Sequence, residues 1–268
     1  MITDITLGQY FPLESVIHRL DPRSKILFTL AYIILVFLAD SFVTYSLVAL
    51  FCISVVLLSK IKFSVVLKSI KPMLFVIIVT AVINVFFTGG KDILWSYKFI
   101  KITKLGVTNA VNMALRLVFL VVGSSLLTYT TSPIMLTDGI ERLLKPFSKI
   151  GVPAHEIAMM MTIALRFIPT LLEETQKIMT AQKSRGADFE SGNIIKRAKA
   201  LIPVLIPLFI NAFKRADELA TAMECRCYRG GEGRTRLRVL RFSKLDLSAL
   251  VIMLVFSILI ISLGIFNI

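Results

Sequence analysis

Long apolar runs separated by short polar segments are the main pattern of this chain. A helix that crosses a bilayer needs about 20 predominantly apolar residues. Five runs approach or reach this length, the first only together with its flanks: residues 26–39, 42–59, 73–88, 105–129 and 247–266. Only Asp40 and Ser41 separate the first two runs, which predicts a helical hairpin with a tight polar turn. The pattern therefore predicts an all-α membrane protein with about five transmembrane helices.

Two further runs, at residues 157–172 and 201–213, are apolar but continue without a turn signal into charged, helix-favouring sequence. Each predicts a half-submerged helix of about thirty residues, roughly 45 Å long at about 1.5 Å per residue. A shorter helix is predicted for residues 135–145, where a proline follows. The region 130–246 holds 19 of the 31 basic and 12 of the 17 acidic residues, so we expect it to be cytoplasmic or interfacial.

These elements divide the chain into three predicted domains. Residues 1–129 carry the first four transmembrane helices, residues 130–246 form a cytoplasmic or interfacial module of three helices, two of them long and crossed, and residues 247–268 add a final transmembrane helix. The second long helix has a small residue at every fourth position: Ala212, Ala216 and Ala220. Small residues at this spacing let two helices approach closely. We therefore expect the two long helices to cross at this stripe.

The composition supports a membrane protein, since the chain is 56% hydrophobic and its mean hydropathy is +0.80. Its formal charge is +14, but the basic residues lie beside apolar runs, which argues against nucleic-acid binding. Basic residues precede the first run and follow the second, whereas none lies between them, so the positive-inside rule places the N-terminus in the cytoplasm. The segment 91–104 carries four lysines against this rule, and its alternation predicts a short hairpin or an amphipathic patch.

The sequence lacks the motifs of several enzyme and transporter classes. It has no P-loop, zinc-protease or serine-hydrolase motif, and its C-x-C pair lacks the further ligands of a metal site. We therefore expect no catalytic residue, metal or cofactor in this chain. Arg116 is the only charge well inside a predicted span. It can line a polar path or bind a lipid headgroup, but snorkelling or pairing inside the bundle is favoured.

A short pattern occurs twice in the chain. Residues 180–185 read TAQKSR and residues 221–226 read TAMECR, and each arginine comes where a predicted long helix ends. A solvated arginine in this position can simply complement the helix dipole, worth about 0.3–1 kcal/mol. Because the pattern is repeated, we favour two arginine tips that fit matched sockets on other proteins through their forked guanidinium donors.

Three segments carry a resemblance to a known family: residues 15–25 (SVIHRLDPRSK), 184–189 (SRGADF) and 224–231 (ECRCYRGG). Over essentially its whole length, the chain resembles the transmembrane T component of energy-coupling factor (ECF) transporters, which includes the cobalt-transport permease type. That family usually has Ala-Arg-Gly at the two arginine positions. Here the residues are Ser-Arg-Gly and Cys-Arg-Cys, which keep the arginine and a small neighbour.

The resemblance implies a non-catalytic coupling subunit of an ABC-type importer for a vitamin or metal ion, located in the cell membrane. Two ABC-type ATPase subunits, which bind ATP and Mg²⁺, would each receive one arginine tip. The implied docking residues are Ser184, Arg185, Gly186, Cys225, Arg226 and Cys227.

The resemblance also implies a membrane-embedded substrate-binding S component, held by the apolar faces of the long helices. The residues expected there are Met159, Met160, Met161, Val204, Leu205 and Leu208. Methionine suits surfaces that accept several partners, and ordinary core filling is the alternative role of the three methionines.

Two other classes of function compete with a coupling subunit. A secondary transporter or channel is the main alternative, and the scarcity of intramembrane carboxylates argues against an ion-coupled carrier. The missing enzyme motifs argue against a membrane enzyme. Co-purification with two ATPases would separate a coupling subunit from both.

Overall fold

The computed structural model describes residues 10–89, 93–97, 100–189, 191–231, 240 and 242–265. Its α-helices are α1 (Pro22–Leu38), α2 (Phe42–Ser59), α3 (Phe63–Ile70), α4 (Leu74–Phe87), α5 (Lys104–Thr130), α6 (Pro133–Leu144), α7 (Ala154–Ser184), α8 (Ile194–Cys225) and α9 (Lys244–Ile265). Two 3₁₀ segments cover Lys71–Met73 and Lys145–Ile150, and the strands are β1 (Ile93–Tyr97) and β2 (Ile100–Thr103).

These elements belong to two compact units. The first, which we call the membrane unit, contains the described residues of Gly8–Gly139 and Val239–Ile268. The second, which we call the tip unit, contains the described residues of Ile140–Arg238. The division into three domains at residues 129 and 246 stays a prediction.

Five stretches of helix are long and apolar enough to cross a membrane: Phe42–Ser59, Phe63–Phe87, Lys104–Thr130, Ala154–Ser184 and Lys244–Gly264. Four of the predicted runs overlap four of these stretches almost completely, and the predicted helical membrane fold is confirmed. The first predicted run forms α1, which has 17 residues and is shorter than the roughly 20 that span a bilayer. By length and composition α7 qualifies as a span, whereas the sequence predicted that half of it is submerged.

The core of the membrane unit forms around α1. The Tyr32 hydroxyl donates to the carbonyl of Phe119 at 3.1 Å and lies 2.9 Å from Cys52 Sγ. Gly123 on α5 makes room for this ring, because a Cβ at that position would overlap it. The buried apolar side chains of α1, α2, α5 and α9 that complete this core include Leu35, Val36, Val48, Val56, Val122, Leu126, Met253, Phe256 and Ile260.

The connection between α4 and α5 contains a β-hairpin. Strands β1 and β2 pair antiparallel, with Tyr97 opposite Ile100. This confirms the hairpin alternative predicted for the segment 91–104. The Thr103 hydroxyl donates to the carbonyl of Thr88 at 2.9 Å and accepts from the N–H of Gly106, so it caps α5.

A buried polar cluster in the membrane unit contains the first of the family-like segments. Asp21 caps α1 by accepting from the backbone N–H of Arg23, and the Arg23 guanidinium donates to both Asp21 carboxylate oxygens. Asp246, near the beginning of α9, accepts from the backbone N–H groups of Asp21 and Ser243, each at 2.8 Å. The cluster therefore joins the beginnings of α1 and α9.

Lys25 extends this cluster to the end of α5. Its ammonium donates to the carbonyls of Thr130 at 2.9 Å and His18 at 3.2 Å. The His18 ring lies 2.7 Å from the Ser15 hydroxyl at Nδ1 and 3.0 Å from the carbonyl of Phe11 at Nε2. Because a carbonyl only accepts, Nε2 carries the proton and Nδ1 of the neutral ring accepts from Ser15.

Burial lowers the pKa of His18 below its usual value. The hydrogen bond to the carbonyl of Phe11 raises this pKa and the positive charge of Lys25 lowers it, and the net shift is downward. The arrangement around His18 therefore favours the neutral ring.

Arg116 is paired inside the membrane unit, as the sequence favoured. Its guanidinium donates to the carboxylate of Asp40 at 2.8 Å and to the carbonyl of Ala39 at 3.1 Å. It also lies 5.9 Å from the centre of the Phe37 ring. The arginine thus provides a hydrogen-bond donor for a free carbonyl at the end of α1 and stabilises the turn between α1 and α2.

Candidate functional site

Both arginines that the sequence singled out follow the ends of the two long helices. α7 has 31 residues and ends at Ser184, and α8 has 32 residues and ends at Cys225. Arg185 and Arg226 are the next residues in each case. The predicted helix lengths and ends are therefore confirmed. We call residues 184–186 the first tip and residues 225–227 the second tip.

The two tips have the same backbone hydrogen bonds. In each, the N–H of the residue after the arginine donates to the carbonyl three residues before it, and the next N–H donates to the carbonyl five residues before it. The pairs are Gly186 to Lys183, Ala187 to Gln182, Cys227 to Glu224, and Tyr228 to Met223. This is the Schellman motif, with the arginine as the C-cap residue of the helix.

The residue after each arginine has a positive φ, which the Schellman motif requires. Gly186 has φ 87° and Cys227 has φ 54°. Glycine adopts this conformation at little cost, whereas a residue with a Cβ loses roughly 1–2 kcal/mol. The second tip therefore adopts the same backbone conformation as the first, although its cysteine disfavours a positive φ.

All six residues predicted for docking are exposed: Ser184, Arg185, Gly186, Cys225, Arg226 and Cys227. Each tip thus presents a guanidinium to its surroundings from a fixed helix end. Such a group recognises carboxylate or carbonyl oxygens through several parallel hydrogen bonds. The docking role itself stays a prediction.

The two long helices pack against each other through a polar contact near the middle of α7. Glu174 accepts from the side-chain amide of Asn211 and, at 3.0 Å, from the guanidinium of Arg215. The glutamate and arginine side chains are 17% and 35% exposed, so water screens this pair only in part. The contact fixes the position of α8 along α7.

The second tip lies beside the beginning of α7. A Cβ at Gly231, four residues beyond Cys227, would meet the ring of His155 at 2.9 Å. The Nδ1–H of that ring donates to the carboxylate of Glu141 at 3.1 Å. A cavity of about 590 Å³ separates Met159 from Arg226 and has both residues in its wall.

The helix pair is therefore antiparallel, with one arginine tip at each end of it. The first tip follows the end of α7 and the second tip is next to its beginning. Arg226 shares a cavity wall with Met159 and Ile163, and the rise of about 1.5 Å per residue from there to Arg185 places the tips roughly 35 Å apart. Two separate partner surfaces can reach the tips at this distance.

The residues predicted for the S component differ in exposure. Met160, Met161 and Leu205 are exposed, Met159 and Leu208 are half-buried, and Val204 is buried. Of these six residues, Met160, Met161 and Leu205 offer the most side-chain surface for contact with a partner protein. Their role stays a prediction.

A larger apolar surface lies on α8. Its exposed apolar residues recur three or four positions apart along one side of the helix, and we call them the α8 stripe: Leu201, Ile202, Leu205, Ile206, Phe209, Ile210 and Phe213. The sequence analysis selected one of these residues, Leu205. The repeating spacing within residues 201–213 was the signal that identifies the others.

The alanines predicted to form the helix crossing lie on a different side of α8 from its polar contact with α7. Ala212 is half-buried, whereas Ala216 and Ala220 are exposed. Asn211 and Arg215, which contact Glu174, precede two of the alanines by one position, or about 100° around the helix. The long helices do pair, but a crossing at the alanine stripe stays a prediction.

The described residues contain no group of three or more His, Cys, Asp or Glu side chains that could hold a metal ion. Among the described residues of the tip unit, the two guanidinium tips and the α8 stripe are suited to binding another molecule. The tips are suited to polar recognition, and the α8 stripe is suited to burial of apolar surface.

Comparison with known proteins gives matches over nearly the whole chain. Residues 14–237 match the family CbiQ, described as cobalt transport protein. A protein of Acidaminococcus fermentans named energy-coupling factor transporter transmembrane protein EcfT is 60% identical over 257 residues, which cover 96% of each chain. Proteins with the same name from Clostridium kluyveri and Bacillus subtilis are 58% identical over 250 residues (93% of each chain) and 46% identical over 255 residues (95% of this chain and 96% of the relative). The matched region includes both tips.

Proposed function

Since the chain belongs to the CbiQ family of cobalt transport proteins, we propose that it is the non-catalytic coupling subunit of an energy-coupling factor importer for a vitamin or metal ion. The observation that carries this proposal is the pair of exposed arginine tips, which have the same backbone and lie at opposite ends of one helix pair. Two equivalent ends suit two equivalent partners, and we assign these partners as two ABC-type ATPase subunits.

Each tip arginine would dock in a groove of one ATPase. A guanidinium that loses its water needs oxygen acceptors there, and a charge-assisted hydrogen bond contributes about 1.5–3 kcal/mol. The ATP and Mg²⁺ would be bound by the ATPases, and this chain would hold no cofactor.

The helix pair would transmit the motion of the ATPases. Closure of the ATPase dimer on ATP would move the two tips toward each other, and the Glu174 contact would make α7 and α8 respond as one body. The α8 stripe would carry the membrane-embedded S component, which would change orientation and release its substrate inward. Substrate specificity would lie in the S component.

In this proposal the chain lies in the cell membrane with its N-terminus and both tips in the cytoplasm. The asymmetry of basic residues around the first two helices supports this orientation. In Ser41→Cys, a membrane-impermeant thiol reagent should label the new cysteine from outside, and in Ser64→Cys it should not. The reverse pattern would overturn the orientation.

The function is tested by co-purification and transport in cells that express the importer subunits. The wild-type chain should retain two ATPases and an S component. Arg185→Ala and Arg226→Ala should each weaken ATPase binding by about ten- to a hundredfold, equal to about 1.4–2.8 kcal/mol. The double variant should lose the ATPases or hydrolyse ATP without transport.

The matched control is Arg19→Ala, which removes an exposed arginine of the membrane unit that forms only a loose ion pair with Glu14. It should leave assembly and transport unchanged. If the double tip variant assembled and transported like wild type, the arginines would be ordinary helix caps. If the wild-type chain transported without ATPases, a secondary transporter or channel would replace the proposal.

A further inference from the structure

The membrane unit contains a cavity of about 220 Å³ among α1, α2, α5 and α9. Its walls are the segment before α1 that contains Val16, Ile17 and Leu20, the first three turns of α1, the last two turns of α2, the last two turns of α5 and the first three turns of α9. It therefore extends along the helices for roughly 10 Å, at about 1.5 Å per residue.

The interior of the cavity offers few partners for water. Three hydroxyls in its wall already donate to a carbonyl of their own helix: Thr29 to Lys25, Thr130 to Leu126 and Ser248 to Leu245. The Cys52 thiol is hydrogen-bonded to Tyr32. Most other wall residues are apolar. Water in a cavity needs two to four polar partners, so an apolar occupant is favoured.

The cavity is open to the surroundings of the membrane unit, which we take to be the hydrocarbon of the membrane. Val16, Leu58 and Ile252 belong to its wall and are also exposed. Leu58 and Ile252 lie on α2 and α9, two helices that are long and apolar enough to span a bilayer. An α-helix of another protein, about 10 Å or more in diameter, is too wide for this space. We infer that the cavity binds one acyl chain of a membrane phospholipid.

Lys25 gives the site a polar end. Its ammonium has three donors, and two of them are directed to the carbonyls of Thr130 and His18. The third can reach an ester or phosphate oxygen of the same lipid. Asp21 and Asp246 act on Lys25 electrostatically and offset its charge. The site should therefore accept phospholipids with zwitterionic as well as anionic headgroups.

Native mass spectrometry of the full-length chain, extracted in mild detergent, tests this site. The wild type should retain one phospholipid. Ala249→Phe adds a ring within the cavity wall and should remove most of the lipid-bound species. Leu250→Phe adds the same ring to the next, exposed position outside the wall and should retain it. A wild type without bound lipid, or equal retention in both variants, would overturn the inference.

Cys52 provides a second measurement that does not depend on a substitution in the cavity. In Cys225→Ser/Cys227→Ser it is the only cysteine of the chain. A small uncharged maleimide should alkylate Cys52 slowly in bilayers, and faster after lipid is removed by extended detergent washing. Added phosphatidylcholine or phosphatidylglycerol should restore the slow rate. Equal rates with and without lipid would contradict the inference even if Ala249→Phe failed to fold.

Discussion

Cys227 occupies in the second tip the position that Gly186 occupies in the first. Both follow the arginine that caps a long helix, and both have positive φ, 54° and 87°. Both donate their N–H to the carbonyl three residues earlier. The tips thus have the same backbone conformation, but a positive φ strains cysteine and does not strain glycine.

This difference predicts opposite effects of substitution at the two positions. Gly186→Ala should lower the free energy of unfolding by roughly 1–2 kcal/mol, because a Cβ is strained at positive φ. Cys227→Gly should raise it by up to about 1 kcal/mol, since relief of strain exceeds the extra entropy of glycine in the unfolded chain. Thermal unfolding of the purified variants measures both. Cys227→Ala, which keeps the strain, is the control and should not be stabilised; equal stabilisation by Ala and Gly would assign the effect to the thiol.

The contact between Glu174 and Arg215 should show coupling in a double-mutant cycle. Because the pair is partly shielded from water, we expect Glu174→Gln and Arg215→Ala to interact by about 1 kcal/mol. The same cycle on Glu14 and Arg19, whose side chains are 92% and 68% exposed, should give a value near zero. Unfolding midpoints of the four variants in each cycle provide the comparison, and equal coupling in both cycles would show that burial of the pair has no effect.

Asp246 should be essential for the stability of the membrane unit. Asp246→Ala would leave the buried N–H of Asp21 without its acceptor and would remove a negative charge near Lys25. The expected loss is about 2–4 kcal/mol, measured as reduced thermal stability and yield. Asp217→Ala removes an exposed carboxylate of α8 and should change stability by less than about 0.5 kcal/mol. Similar losses in both variants would rule out a special role for the buried carboxylate.

His18 should make the protein less stable in acid. Its pKa is lowered in the folded chain, so the unfolded chain binds more protons below the unperturbed pKa of about 6.5. The stability from the neutral ring is complete above about pH 6.5 and is lost as the pH falls toward the folded pKa. His18→Gln cannot titrate and should therefore lose less stability than wild type between about pH 7.5 and about pH 5. Parallel pH profiles of the two proteins would exclude His18 as the cause.

A charge on the α8 stripe should separate the two kinds of partner in the proposed complex. Leu205→Glu places a carboxylate on an exposed apolar surface, which the isolated fold tolerates but a hydrophobic interface does not. The S component should be lost on co-purification while both ATPases remain. Lys214→Glu changes an exposed residue of α8 outside the stripe and should retain all partners. Loss of ATPases and S component together in Leu205→Glu would indicate misfolding.

The sequence alone determined most of the long helices and the ends of α7 and α8. Apolar runs and the two repeated segments are local signals, because a helix forms from hydrogen bonds between residues four apart and ends where its cap allows. The positions of α2, α5, α7 and α8, and the arginine after each long helix, follow from such signals.

The tertiary structure decided which surfaces meet. Asp21 and Asp246 are 225 positions apart, and nothing in either segment predicts their hydrogen bond. Likewise the spacing of the alanines in α8 permits a close crossing, but no signal in the sequence pairs Asn211 and Arg215 with Glu174. The side of a helix that packs depends on its partner's surface, because burial and polar pairing are properties of two elements together.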